Sequence, residues 1–328
     1  MTSAATTIEH AAPPEAGPRA FLQRLRRGDE VAHVVTLVFA AGILLITSAL
    51  VYELWINSHL SRTKFGWMFF WTRVWDPIFD NYGAAPFIYG TLITSAVALV
   101  IAVPLGLAGA IFLAELAPRK LSDSVAFLID LLAAVPSVIY GLLGIFIVVP
   151  IMRTTLGPAL KATFGYFPLF RGPNYGVGFL TAGIVLAIMV VPFIISVSRE
   201  VLLTVPRDQR EAALALGATR WEATWKVVVP WARAGIMGSI FLALARALGE
   251  TMAVTMVIGN APNISASLFS SGDTIASVIA NQFAEATGDL FLSALIELGL
   301  VLFLMTFILN GLARLLIVAT GRGGGHSS

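Results

Sequence analysis

The sequence has no cysteine, so disulfides, thiolate metal sites and cysteine nucleophiles are excluded. Charge is scarce too. Asp, Glu, Lys and Arg make up 12% of the 328 residues, where a soluble domain carries about 25%. The four histidines (His10, His33, His59 and His326) lie far apart with no paired spacing, and no metal site is expected. No phosphate loop of the form G-x-x-x-x-G-K-[ST] occurs, so hydrolysis of ATP by that route is not expected. No basic patch interleaved with aromatics points to nucleic acid. What is present is apolar surface: 57% of the residues are hydrophobic, the composition of a polytopic membrane protein.

Crossing the hydrocarbon core takes about 20 apolar residues. Six stretches qualify: Val34–Tyr52, Phe87–Ala114, Val125–Met152, Val177–Ser198, Ala234–Gly259 and Leu290–Ala313. Prolines and glycines inside them are compatible with membrane helices, because neighbouring helices can satisfy the freed backbone groups. The expected organisation is a disordered tail over 1–30, a first span and outer loop over 31–86, a membrane core over 87–318 and a flexible tail over 319–328. The first residues, rich in Ala, Pro and Thr, lack the apolar centre of a signal peptide. With the N-terminus inside, 14 of the Lys and Arg residues fall on inner segments and 6 on outer ones, so both termini are expected in the cytoplasm. The aromatic run "FGWMFFWTRVW" (65–75) is expected along the outer interface, where Trp and Tyr settle.

One polar segment is too patterned for a loose loop: "PRDQREAALALGATRWEATWKVVVP", residues 206–230. Asp208 suits a helix N-terminus, strong helix formers follow, and Gly217 suits the C-terminal cap. Thr219 and Glu222 have capping-box spacing. A short helix, a glycine turn and a second helix entering the membrane are expected, with small Ala212 and Ala213 permitting close approach by a partner. The order E-A-A, three residues, Gly, nine residues, then I-x-L-P resembles the EAA loop of ABC importer permeases. Glu211, Ala212, Ala213 and Gly217 match it, and Val227–Pro230 stands at the last element with valine for isoleucine and leucine. The resemblance implies an all-helical membrane protein of six transmembrane helices with the type I importer permease fold. It further implies that Glu211–Gly217 is a cytoplasmic coupling helix, docking on a separate ATP-hydrolysing subunit that holds the ATP and Mg. No cofactor is implied for the chain itself.

Arg246 and Glu250 stand near the middle of the fifth apolar stretch. A charge at the centre of a span costs about 2.5–3.5 kcal/mol, and an i,i+4 pair returns about 0.2–0.5 kcal/mol. The local pair does not balance the cost. Two readings follow. Arg246 is held in a structural ion pair, through Asp130 or Glu297, or its guanidinium fork meets a translocating oxyanion. In the second reading Glu250 holds Arg246 between passages, so that the anion is not trapped. Ser137 and Tyr140, in "PSVIYG", offer hydroxyl donors and either line the path or belong to a packing kink. Asp130 and Glu297 are structural charges, or relay groups in a proton-coupled carrier. The segment "NISASLFSSGDT" (263–274) is external, either meeting a delivery protein or solvated.

The stretches "RALGETMAVTMVIGN" (246–260) and "AAVPSVIYGLLG" (133–144) look like signatures of the C-type permease of bacterial phosphate-specific ABC importers. That resemblance implies passage of inorganic phosphate, with Arg246 and Glu250 associated with it. The partners implied are an A-type sister permease, a homodimeric ATP-binding subunit, an external phosphate-binding protein and membrane lipid, in a multi-pass place in the bacterial plasma membrane. A sulfate or molybdate permease is the alternative within the class. A proton-coupled carrier would leave the EAA-like loop unexplained.

Overall fold

The computed structural model describes residues 29–321. The expected tails lie outside the described residues, except that 29, 30 and 319–321 are helical. Among the described residues the chain is helical, with one isolated bridge between Asp76 and Asn81. Six helices among the described residues are long and apolar enough to cross a membrane. The first, α1 (Asp29–Asn57), contributes its part through Glu53 as a compact unit of its own. There the side chains from Val31 to Glu53 are exposed, with only Gly42 and Val51 half-buried.

The second unit starts at Leu54. In chain order its helices are α2 (His59–Phe65), α3 (Ala85–Leu116), α4 (Arg119–Ala133), α5 (Ser137–Phe164) and α6 (Phe179–Leu203). There follow α7 (Arg207–Ala215), α8 (Arg220–Leu248), α9 (Met252–Ile258), α10 (Ile275–Gln282) and α11 (Asp289–Gly321). Four five-residue π-helical stretches, Phe112–Leu116, Gly144–Val148, Met152–Leu156 and Thr224–Val228, each end two residues before a proline. A proline ring clashes with the carbonyl four residues back and supplies no N–H. The widened turn relieves that clash, so α5 and α8 continue past their prolines instead of ending there.

α6 is the post around which the unit is packed, burying Phe179, Val185, Leu186, Met189, Val190 and Ile194. Small residues bring its neighbours close. Gly183 leaves no room for a Cβ beside Val97 of α3, and Gly106 none beside Ile194. On the far side Gly141 and Gly144 of α5 lie against Met256 and Val257 of α9. Close approach through small residues is what holds helices together where the solvent is as apolar as the side chains.

Two spans differ from the sequence reading. The stretch Val125–Met152 is not one helix: α4 ends at Ala133, and Pro136 starts α5 as its N-cap, so the third span is Ser137–Phe164. α4 is instead amphipathic, with Ser122 its buried residue. The fifth span runs from Arg220 to Leu248 and stops short of the expected Gly259. The aromatic run also divides. Trp67 and Trp71 are exposed as expected of an interface, whereas Phe69 and Trp75 are buried in a second core with Tyr82, Phe87, Leu295 and Leu298. There Trp75 Nε1 donates to Gln282 Oε1 at 2.8 Å, and the Tyr82 and Phe291 rings stack at 5.5 Å.

The start of α10 is fastened to α3. Ile275 N donates to Thr91 Oγ1 at 3.1 Å, and the Asp273 carbonyl sits where Gly90 would carry a Cβ. Asp273 is buried and accepts from Thr274 N at 3.0 Å and from the Ser277 hydroxyl. Burial pushes its carboxyl from 3.8 up to about 6, against the pull of those two bonds. A raised carboxyl binds its proton more tightly in the folded state. Its contribution to stability is therefore full below about pH 4 and lost as pH rises through about 6, on the order of 2–3 kcal/mol. The apparent Tm in detergent should fall between about pH 4 and 6, and Asp273→Asn should flatten that part of the profile. Gly90→Ala should destabilise by about 1–3 kcal/mol, because backbone cannot yield; Gly311→Ala, with open space around it, should leave the Tm unchanged.

Candidate functional site

The fifth span is broken inside the fold. α8 ends at Leu248, Gly249 to Thr251 are not helical, and α9 restarts at Met252. Arg246 lies in the last turn of α8 and is half-buried, its guanidinium 5.6 Å from the centroid of the Phe193 ring on α6. Glu250 lies in the break, and its Oε1 accepts from Ala253 N at 3.1 Å, closing the first turn of α9. The two are therefore not one helical turn apart on a continuous helix, and no ion pair among the described residues joins them. Glu250 shapes the break rather than neutralising Arg246.

Magnitudes decide what surrounds Arg246. Contact with an aromatic face is worth about 0.5–1 kcal/mol, and a cation near a helix C-terminus gains about 0.3–1 kcal/mol. Together these stay below the roughly 2.5–3.5 kcal/mol cost of the charge at membrane depth. Non-helical backbone at that depth is tolerated where it is enclosed by protein or lines a water-filled cavity, and discontinuous helices are where transporters place their substrates. Charge and break point to the same place.

The other residues singled out by sequence divide. Tyr140 is buried in the second half-turn of α5, close enough for Arg246 to act on it electrostatically. Its hydroxyl, however, donates to Leu132 O at 2.7 Å, tying the end of α4 to the start of α5. Ser137 is half-buried at the first position of α5. Past the two breaks the restarted helices pack on each other, Gly141 of α5 lying against Ala253 and Met256 of α9. Asp130 is not within a span. It is exposed on α4 and accepts from Ser196 Oγ of α6 at 2.7 Å. Glu297 is buried in α11, with Ser61 and Arg62 as its polar neighbours. The structure brings neither to Arg246.

At the other end of the long helices stands α7. Gly217, at φ +87°, closes it with a pair of bonds, Ala218 N to Ala213 O at 3.1 Å and Gly217 N to Leu214 O at 3.0 Å. This is the glycine-ended cap expected from the sequence, and the Thr219–Glu222 capping box follows it. Glu211, Ala212 and Gly217 are exposed. Ala213 is not available to a partner, because it faces inward and is buried; Leu216, 90% exposed, is the side chain that projects. Beside α7 opens a cleft of about 820 Å³ lined by Arg119, Arg199, Arg207 and Arg220 among others.

What fastens α7 to the spans was not legible in the sequence. Arg210 pairs with Glu115 at the end of α3, Nη2 to Oε1 at 2.7 Å, and donates to Val205 O at 2.6 Å and Leu202 O at 2.9 Å at the end of α6. Both side chains are largely buried. Arg199 of α6 similarly reaches Asp123 of α4 at 3.1 Å. One guanidinium thus ties α7 to the ends of both α3 and α6. Arg210→Ala should leave Glu115 without its cation and destabilise the protein by about 3 kcal/mol. The exchange Arg210→Glu with Glu115→Arg should recover part of the lost Tm, which neither single change does.

A family model described as the binding-protein-dependent transport system inner membrane component matches residues 102–319. Over 318 residues the chain is 44% identical to the phosphate transport system permease protein PstC of Mesorhizobium japonicum, covering 95% of this chain and 97% of that protein. The protein of the same name from Pasteurella multocida is 50% identical over 287 residues, covering 86% and 89%. Among solved structures, a bacterial ABC transporter involved in import of the acidic polysaccharide alginate aligns with TM-score 0.57 at 17% identity, over 90% of this chain and 98% of that one. The inward-facing MetNI methionine ABC transporter aligns with TM-score 0.55 at 17% identity, over 75% and 99%.

Proposed function

The chain belongs to the binding-protein-dependent permeases of ABC importers, the phosphate permeases among them, and we propose that Arg246, at the α8–α9 break, is the residue its anion meets. It is a membrane-spanning subunit of a phosphate importer, with the type I permease fold and a place in the inner membrane. Such a permease works with an ATPase and an external substrate-binding protein. The ATPase here is a homodimer holding ATP and Mg, and it docks on α7 by way of Leu216 and the exposed face around Glu211. An A-type sister permease completes the pathway, and both termini lie in the cytoplasm. The chain itself is a conduit and carries out no chemistry on phosphate.

The observation that carries this reading is a cation left beside a break in a membrane helix with less local compensation than its burial costs. A guanidinium there presents a planar fork of donors to a tetrahedral oxyanion. Inward and outward opening, driven from α7 through Arg210 to α3 and α6, would expose that fork to one side and then the other. Ser137, at the neighbouring break, offers a hydroxyl donor to the same path, and Tyr140 holds that break in place. Glu250 keeps the Gly249–Thr251 segment open by capping α9.

A proton relay through Asp130, Glu250 and Glu297 finds no support, since the three are dispersed over the surface of α4, the α8–α9 break and the buried face of α11. Sulfate or molybdate would suit the same fork, and competition settles the matter. Uptake of radiolabelled phosphate by cells relying on this importer should persist in excess sulfate and molybdate. Arg246→Gln should reduce it roughly 10- to 100-fold, the worth of a charge-assisted hydrogen-bonding group, with the importer still assembled. Uptake at the unsubstituted rate would remove Arg246 from the path.

A further inference from the structure

A second site lies away from the breaks, between the end of α1, α2 and α11. It is a cavity of about 320 Å³ whose walls include Trp55, Arg62, Trp67, Phe70, Glu297 and Leu304. Apolar groups dominate it, but two charges of opposite sign line it as well. Glu297 is 3% exposed, and its Oε2 has no hydrogen-bond partner. Arg62 is half-buried, its guanidinium stacked 3.6 Å from the Trp55 ring centroid, its Nε donating to Ser58 Oγ at 3.0 Å and its Nη2 to the Trp55 carbonyl, which leaves Nη1 for a further acceptor. No ion pair among the described residues involves either one. A buried acceptor without a donor is costly, and two unjoined opposite charges in one cavity are an arrangement that a third group completes.

The position says what kind of group. Glu297 follows the start of α11 at Asp289 by eight residues, about 12 Å along a helix, which is the depth where headgroups give way to acyl chains. Exposed Trp67 marks the same level, as interfacial tryptophans do. We propose that this cavity binds the headgroup of a zwitterionic phospholipid with a primary amine, of the phosphatidylethanolamine kind. The ammonium donates to Glu297 Oε2, the phosphate accepts from Arg62, and an acyl chain runs along Leu300 and Leu304. Other headgroups fit less well. A choline carries no N–H and would leave Oε2 unsatisfied. An anionic glycerol headgroup brings a second negative charge beside Glu297 and no cation for it.

The test is lipid retention. The assembled importer is reconstituted in vesicles of equal parts phosphatidylethanolamine, phosphatidylcholine and phosphatidylglycerol, extracted in mild detergent, and its retained lipid is weighed by native mass spectrometry. Phosphatidylethanolamine should be enriched roughly ten-fold over either competitor, the worth of one charge-assisted hydrogen bond. Glu297→Gln should abolish that preference. Leu304→Trp, which fills the cavity and leaves both charges in place, should lower retention of every lipid and serves if Glu297→Gln does not assemble. Equal retention of the three lipids by the unsubstituted protein, or undiminished phosphatidylethanolamine in Leu304→Trp, overturns the proposal. Loss of assembly in Glu297→Gln with no lipid preference in the unsubstituted protein would place a partner subunit in the cavity instead.

Discussion

In hydrocarbon a helix cannot stop unless something other than water takes over its backbone hydrogen bonds. That constraint governs this protein more than any single contact. Between Leu248 and Met252 the fifth membrane helix does stop, and Glu250 supplies one of the missing acceptors by capping Ala253 N. The interruption sits beside α6, the most enclosed of the long helices, and the helix after it packs on the helix that starts at Ser137. On the function proposed above, the non-helical backbone of these two interruptions forms the gap through which the anion passes. Arg246 stands at the edge of that gap with a charge that packing alone does not compensate.

The gap is useful only if it can be moved, and the movement has a visible linkage. α7 is a short, sharply capped helix joined to the ends of α3 and α6 through Arg210. α3 and α6 are in turn locked to each other by glycine contacts at Gly183 and Gly106, which leave no slack between them. On the proposed function, force applied at Leu216 would be carried by these packed pieces to the α8–α9 break. Close packing of this kind switches between discrete arrangements instead of deforming gradually, as alternating access requires.

What could be read from the sequence was local. The glycine turn at Gly217 and the Thr219–Glu222 box are short-range chemistry, and both formed as their spacing implied. Six apolar helices are legible because hydropathy needs no tertiary knowledge, yet two of the spans lie elsewhere along the chain than the hydropathy places them. Pro136 cuts the apparent third span, because apolar residues of α4 extend the hydropathy signal past a break that only backbone geometry decides. Gly249 likewise separates Arg246 from Glu250, although their spacing is that of neighbours on one turn. Contacts between distant segments left no trace at all: Arg210 with Glu115, or Glu297 beside Ser61, join residues that no local pattern relates.

The central claim is that the α8–α9 break is open to water and to the anion. Because the chain has no cysteine of its own, Thr251→Cys introduces one thiol at the break without a competing background. The most direct measurement is its labelling by a membrane-impermeant, water-soluble thiol reagent in the assembled importer, with and without phosphate. The account predicts labelling that phosphate slows and chloride does not. A thiol at Thr251 that stays unlabelled whether or not ATP is supplied, in an importer that still transports phosphate, would contradict it.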